Sequence, residues 1–147
     1  MTQTITRFLG WLGIIPFLVS VFYTYDKQSL FGYYAPYVFV SYSCVILAFL
    51  SGAWWGALQR ASEQHYVKRL LVLSNVFALI AFAALLLAHR HLPVSVALLG
   101  ASFWLLWRIE RLTSAHGLER SGYRKMRQQL SYVVVGLHVV LLLTIVF

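Results

Sequence analysis

The sequence predicts an all-α integral membrane bundle of five transmembrane helices, with the N-terminus in the cytoplasm and the C-terminus outside. The composition, the length of the apolar segments and the placement of the basic residues each favour it. The chain of 147 residues is 61% hydrophobic and only 11% charged, whereas soluble domains carry about 25% charged residues. Its 12 basic and 4 acidic residues are too few to cover a soluble surface. We therefore expect a single transmembrane domain over residues 1–147.

Five apolar segments are long enough to cross a bilayer, since a hydrocarbon core about 30 Å thick needs roughly 20 helical residues. They cover residues 8–24, 36–58, 70–88, 93–112 and 130–147. None shows the alternation of apolar and polar residues that is typical of barrel strands. Pro93 suits the first turn of its helix. Pro16 should kink the first span, because a proline ring clashes with the preceding helical turn.

The basic residues test this count of spans. With five spans, ten lysines and arginines fall on the side of the N-terminus, and only Lys27 and Arg90 fall on the other. Such an excess marks the cytoplasmic side. The net charge of +8 then favours anionic lipid headgroups rather than nucleic acid. We expect headgroup contacts from seven residues of this side: Arg60, Arg108, Arg111, Arg120, Arg124, Lys125 and Arg127.

The aromatic residues agree with this topology. The five tryptophans, Trp11, Trp54, Trp55, Trp104 and Trp107, all fall near the cytoplasmic interface. An indole has an apolar body and one N–H donor, so it prefers that half-wet layer. Five tyrosines cluster instead around the first outer connection: Tyr23, Tyr25, Tyr33, Tyr34 and Tyr37.

Glycines accompany two of the tryptophans in the second span, which reads LSGAWWGALQR over residues 50–60. Gly52 and Gly56 are four residues apart, a spacing that lets a neighbouring helix approach closely in lipid. One interpretation is helix packing combined with interface anchoring by the indoles. The alternative is a pocket at the cytoplasmic end of the second and fourth helices that binds a lipid or a quinone-like ring. The candidate ligand-binding residues are Gly52, Trp54, Trp55, Gly56, Asn75, Trp104 and His138.

Residues that could carry catalysis are scarce in the spans. No Asp or Glu lies in the apolar part of any span, and His138 is the only strongly titratable residue there. His138 could ligate haem or relay a proton, but the other histidines fall in connections. We expect instead a neutral imidazole that is hydrogen-bonded to another helix, at Ser43 or Ser102. The single cysteine, Cys44, excludes an internal disulfide and a cysteine-based metal cluster. We predict no catalytic residue and no metal site, and no cofactor is indicated.

Three segments resemble a family of small membrane proteins filed as a domain of unknown function, which includes the mitochondrial "transmembrane protein 69". Residues 9–17 (LGWLGIIPF) are similar to its Gly-x-x-Pro-Phe opening. Residues 48–56 (AFLSGAWWG) resemble its Ser-Phe-Leu-Gly-Gly-x-His-Trp-Gly, with Trp54 in place of the histidine. Residues 123–131 (YRKMRQQLS) resemble its Tyr-x-x-Leu-Arg-x-x-Leu-Thr. The resemblance implies a five-span inner-membrane bundle and supplies no established activity.

Two functional hypotheses follow. The first is a non-enzymatic accessory or assembly subunit of the bacterial inner membrane, in contact with lipid and packed against another membrane protein or a second copy of itself. The second is a protein that binds lipid or quinone through the pocket described above. A membrane enzyme is disfavoured, because no acid–base pair is evident in the spans. The absence of interleaved aromatic residues in the basic segments disfavours nucleic acid as a partner.

Overall fold

A computed structural model describes residues 2–59, 65–113 and 121–147 of the chain. These residues form helices and a single isolated β-bridge, with no extended strand. The helices are α1 (Thr2–Leu12), α2 (Ile15–Tyr25), α3 (Ala35–Gln59), α4 (His65–Leu87), α5 (Leu92–Thr113) and α6 (Ser121–Val146). The all-helical fold predicted from the sequence is therefore confirmed over the described ranges.

Five stretches of helix are long and apolar enough to cross a membrane, as predicted. They are Thr4–Tyr25, Ala35–Gln59, Val67–Leu87, Leu92–Leu112 and Lys125–Val146. Each overlaps one of the five apolar segments of the sequence. The chain is thus a multispanning membrane protein by length and composition, and the orientation of its termini stays a prediction.

The first span is broken into α1 and α2, as Pro16 predicts. Pro16 lies in the first turn of α2 and has no N–H to donate to the carbonyl of Leu12, where α1 ends. Gly13 and Ile14 form the turn between the two helices. The carbonyl oxygen of Gly13 accepts a hydrogen bond of 2.8 Å from the hydroxyl of Tyr42 on α3. A side chain from a neighbouring helix thereby supports the interrupted backbone, which lipid could not do.

The basic link between the fourth and fifth spans is mostly helical in the residues described. The predicted spans leave a connection over residues 113–129, but α5 continues to Thr113 and α6 begins at Ser121. Lysine, arginine, glutamine, glutamate and methionine are good helix formers, so the helices extend beyond the apolar windows. Arg108, Arg111 and Arg127 consequently have positions fixed by helical geometry.

The six helices pack with α3 and α5 at the centre. α3 contacts α2, α4 and α5, while α6 contacts α5, α2 and α1. The core contains aromatic and aliphatic side chains from these helices, with Phe17, Phe39 and Leu99 fully buried. Large apolar side chains such as Phe49 and Leu79 are exposed on the outside, as expected for helices that face lipid.

The connection between α2 and α3 contains a tight turn. The backbone groups of Leu30 and Tyr33 exchange two hydrogen bonds, of 2.8 and 2.9 Å. Both residues between them have positive φ, 53° at Phe31 and 83° at Gly32. Two successive residues with positive φ are what a type I′ turn requires. It suits Gly32 but strains Phe31, whose side chain is 91% exposed.

Candidate functional site

His138 lies at the centre of the bundle, where four helices meet. Its Nδ1 is 2.7 Å from the carbonyl oxygen of Val134, and its Nε2 is 2.9 Å from the hydroxyl of Ser43 on α3. A carbonyl oxygen only accepts, so Nδ1 carries a proton and donates to it, and in a neutral imidazole Nε2 accepts from the serine. The predicted bond to Ser43 is confirmed, whereas the hydroxyl of Ser102 donates to the carbonyl of Leu98. With both ring nitrogens engaged, the imidazole cross-links α3 and α6.

Aromatic rings surround this imidazole. The ring centroids of Phe39, Phe103 and Phe17 lie 4.7, 5.2 and 5.8 Å from that of His138. Gly100 on α5 allows the close approach, because a Cβ at that position would lie 3.1 Å from the Cβ of His138. The apolar shell keeps water from the hydrogen bonds, which strengthens them.

The two adjacent tryptophans of α3 differ in exposure. Trp54 is 8% exposed and belongs to the core, whereas Trp55 is 44% exposed. Gly52 and Gly56 lie on the exposed side, and a Cβ built on either glycine would meet nothing within 4 Å. The glycine pair predicted to pack is therefore not covered by the described part of this chain. We call this side of the helix the open α3 face, formed by Val45, Ala48, Phe49, Gly52 and Gly56.

The other candidate ligand-binding residues do not share one environment. Asn75 is exposed on α4, and its side-chain amide donates to the carbonyl of Leu71 in the same helix. Trp104 is exposed on α5, beneath the guanidinium of Arg108. His138 contacts α3 at Ser43, nine residues before Gly52, which corresponds to about 14 Å along a helix. The imidazole and the open α3 face are therefore separate features.

Several of the residues predicted to contact lipid headgroups have the exposure which that role requires. Arg108 and Arg111 stack over Trp104 and Trp107, with 5.9 and 5.5 Å between the guanidinium carbon and the ring centroid. Lys125 is exposed at the start of the last span. Arg60 and Arg120 lie outside the described residues, and only the backbone of Arg124 is described.

Arg127 differs from this group, because it is 8% exposed. Its Nε lies 3.2 Å from Oε2 of Glu110 on α5, and its Nη1 donates a 2.8 Å hydrogen bond to the hydroxyl of Ser131. Arg127 therefore lies in the interface between α5 and α6 rather than on the open surface, and its predicted contact with lipid headgroups stays a prediction. The physical reason is Glu110, which lets the arginine enter the interface between α5 and α6 as an ion pair.

Glu110 was not recognised as important from the sequence. It is one of only four acidic residues in the chain and stands between two arginines at the end of an apolar span. A single acidic residue among basic ones at the end of an apolar span was the signal that could have indicated an ion pair. No spacing within one helix links it to Arg127, since the two residues meet across helices.

A metal centre has no support in the described residues. The described side chains contain no group of three or more histidine, cysteine, aspartate or glutamate residues that could hold an ion. Cys44 is buried in the core as a small apolar side chain.

A family model described as "Protein of unknown function (DUF3429)" matches residues 2–143. The chain belongs to this family. Membership in DUF3429 confirms the resemblance found in the sequence, and it brings no assigned activity. Comparison with curated proteins and with solved structures finds no match. For this DUF3429 protein, function must be argued from its own geometry.

Proposed function

We propose that this chain is a non-enzymatic accessory subunit of the bacterial inner membrane. Its open α3 face packs against a transmembrane helix of another membrane protein. The proposed orientation places the N-terminus in the cytoplasm, since ten of the 12 basic residues then lie on that side.

The observation that carries the proposal is the open space beside Gly52 and Gly56. Two other glycines, Gly100 and Gly10, are used internally: a Cβ at Gly100 would lie 3.1 Å from His138, and one at Gly10 would lie 3.1 Å from Leu130. Gly136 is open as well, but it stands alone on α6, whereas Gly52 and Gly56 form a pair four residues apart. A glycine inside a helix costs about 0.5–1 kcal/mol relative to alanine. Gly52 and Gly56 have no contact within the described bundle that offsets this cost. A second helix against the open α3 face would supply one.

The shape of this face suits a helix better than it suits lipid alone. Ala48, Gly52 and Gly56 recur every four residues and form a shallow channel along α3. Phe49 and Trp55 are exposed beside the channel. Small residues in such a row allow backbones to approach closely, and close approach is what associates helices in lipid. The partner helix should therefore carry small residues at its own contact face.

A photo-crosslinking experiment tests the proposal in native membranes. Phe49 is replaced with benzoylphenylalanine, which changes the side chain little and leaves the glycines intact. The control places the same probe at Phe82, an exposed residue on α4. We expect the probe at Phe49 to give a discrete adduct with another membrane protein and the probe at Phe82 to label lipid only. Lipid labelling from both positions would contradict the proposal, and an adduct of twice the chain mass would identify a second copy as the occupant.

Packing is tested separately by substitution. Gly52→Leu fills the channel and should abolish the adduct from the probe at Phe49. Gly136→Leu is the matched control, since a Cβ at Gly136 also meets nothing within 4 Å but lies on α6. If both variants retain the adduct, the contact does not use the small-residue channel.

A lipid or quinone-like ring against the open α3 face is the second candidate function. The exposed indole of Trp55 beside Gly52 and Gly56 favours it, because a flat ring could stack on the indole above the glycines. Tryptophan fluorescence distinguishes the two functions. A bound quinone should quench the wild type more strongly than Trp55→Phe, whereas equal quenching would remove this candidate.

A further inference from the structure

The ion pair between α5 and α6 leaves one donor group of Arg127 unused. A guanidinium carries five N–H donors in a rigid fork. Nε faces Glu110 and Nη1 donates to Ser131, but Nη2 is buried and has no hydrogen-bond partner among the described residues. Buried polar groups are almost always hydrogen-bonded, and an unpaired donor on a charged group is among the more costly exceptions.

The charge around this donor favours an anion. Arg108, Arg111 and Lys125 occupy the same end of α5 and α6 as Arg127, and Glu110 is the acidic residue paired there. The described part of this region is thus strongly cationic even after the ion pair is counted. Positive potential of this kind raises the local concentration of anions.

The position of this region at the level of the lipid headgroups favours a phosphate group as the ligand. Trp104 and Trp107 lie under Arg108 and Arg111, and tryptophans concentrate at the level of the lipid headgroups. Phosphate oxygens are the abundant acceptors in that layer. The planar fork of arginine matches a phosphate group in geometry as well as in charge.

We propose that Arg127 is the central residue of an oxyanion site in which its Nη2 donates to a phosphate-type oxygen. Glu110 and Ser131 hold the plane of the guanidinium and leave Nη2 without a partner, and because Nη2 is buried, a ligand oxygen would have to enter between α5 and α6 to reach it. The phosphate belongs either to a phospholipid headgroup or to a soluble phosphate compound. This site is independent of the open α3 face and does not rest on the accessory role.

The test compares four proteins reconstituted into nanodiscs of phosphatidylcholine with a minor share of phosphatidylglycerol: the wild type, Arg127→Lys, Glu110→Gln and Arg90→Gln. The full chains are released into mild detergent, and the retained phosphatidylglycerol is measured by mass spectrometry. We expect Arg127→Lys to retain about tenfold less than the wild type, because lysine lacks the fork. Arg90→Gln is the control and should stay within about twofold, since Arg90 is an exposed cation at the opposite end of α5 from Glu110.

The variant Glu110→Gln separates a binding site from a structural ion pair. Removing the carboxylate leaves Arg127 with an uncompensated positive charge, so a phosphate site should retain more phosphatidylglycerol than the wild type. A merely structural pair predicts lower thermal stability with unchanged retention. Because the two readings predict different retention in Glu110→Gln itself, the test stays valid even where Arg127→Lys fails to fold.

A second arm identifies the source of the phosphate. Inorganic phosphate is added to the wild type and to Arg127→Lys in detergent, and the melting temperature of each protein is measured. A chloride salt at the same ionic strength is the control. A rise confined to the wild type assigns the site to a soluble phosphate compound, and retention without that rise assigns it to a headgroup. Equal retention in wild type, Arg127→Lys and Glu110→Gln, with no response to phosphate, would overturn the proposal.

Discussion

The hydroxyl of Tyr42 on α3 donates a hydrogen bond of 2.8 Å to the carbonyl oxygen of Gly13, at the break between α1 and α2. The break itself follows from Pro16, which cannot supply the backbone donor that a continuous helix would use. One side chain thus joins the interrupted first span to the centre of the bundle.

Tyr42→Phe should destabilise the protein by about 0.5–2 kcal/mol, because it leaves the carbonyl of Gly13 without this donor in an apolar environment. Unfolding in mixed detergent micelles measures the change. Tyr132→Phe serves as the control, since Tyr132 is an exposed residue on α6. Equal stability of the two variants would show that the hydroxyl of Tyr42 contributes nothing to the first span.

Gly100→Ala should destabilise the protein by about 1–3 kcal/mol, because the added methyl group would lie 3.1 Å from the Cβ of His138. Each Cβ is attached directly to its helix backbone, so α5 and α6 would have to separate to relieve the contact. Gly136→Ala is the matched substitution, with nothing within 4 Å of the new Cβ. It should be neutral or stabilising by up to about 1 kcal/mol, through helix propensity alone. Thermal unfolding in detergent gives both values, and a loss of stability in Gly136→Ala as large as that in Gly100→Ala would refute the distinction.

Phe31→Asn should stabilise the turn between α2 and α3 by about 1 kcal/mol. Phe31 has a φ of 53°, a backbone conformation that asparagine tolerates better than phenylalanine does. The side chain of Phe31 is exposed, so little packing is lost with it. Gly32→Ala, at a φ of 83°, should change stability in the opposite direction. Hydrogen exchange at the amides of Leu30 and Tyr33 measures the opening of this turn, and faster exchange in Phe31→Asn would contradict the expected gain.

Much of the fold was accessible from the sequence, because the bilayer imposes a length on each apolar segment. Five spans, the break at Pro16 and the hydrogen bond between Ser43 and His138 all follow from this constraint and from the cost of an unpaired polar group in lipid. Family membership agreed with the resemblance of three short segments.

The orientation of each helix about its own axis was not accessible. Trp54 and Trp55 look alike in the sequence, yet one belongs to the core and the other is exposed. The reason is that the lipid-facing and bundle-facing sides of a transmembrane helix are both apolar, so no polar stripe marks the outside. The same ambiguity hid which glycines are packed within the chain.

The burial of Arg127 was inaccessible for a different reason. Its environment depends on Glu110, which lies on another helix and has no fixed separation from it in the sequence. Charge counting assigns every arginine to the aqueous side, and only a tertiary ion pair moves one of them inside.

The interruption at Gly13 gives the two halves of the first span different neighbours. α1 packs chiefly on α6, while α2 contacts both α3 and α6. The break therefore frees each half to follow the direction of its own neighbours, which one straight rod through the bilayer could not do.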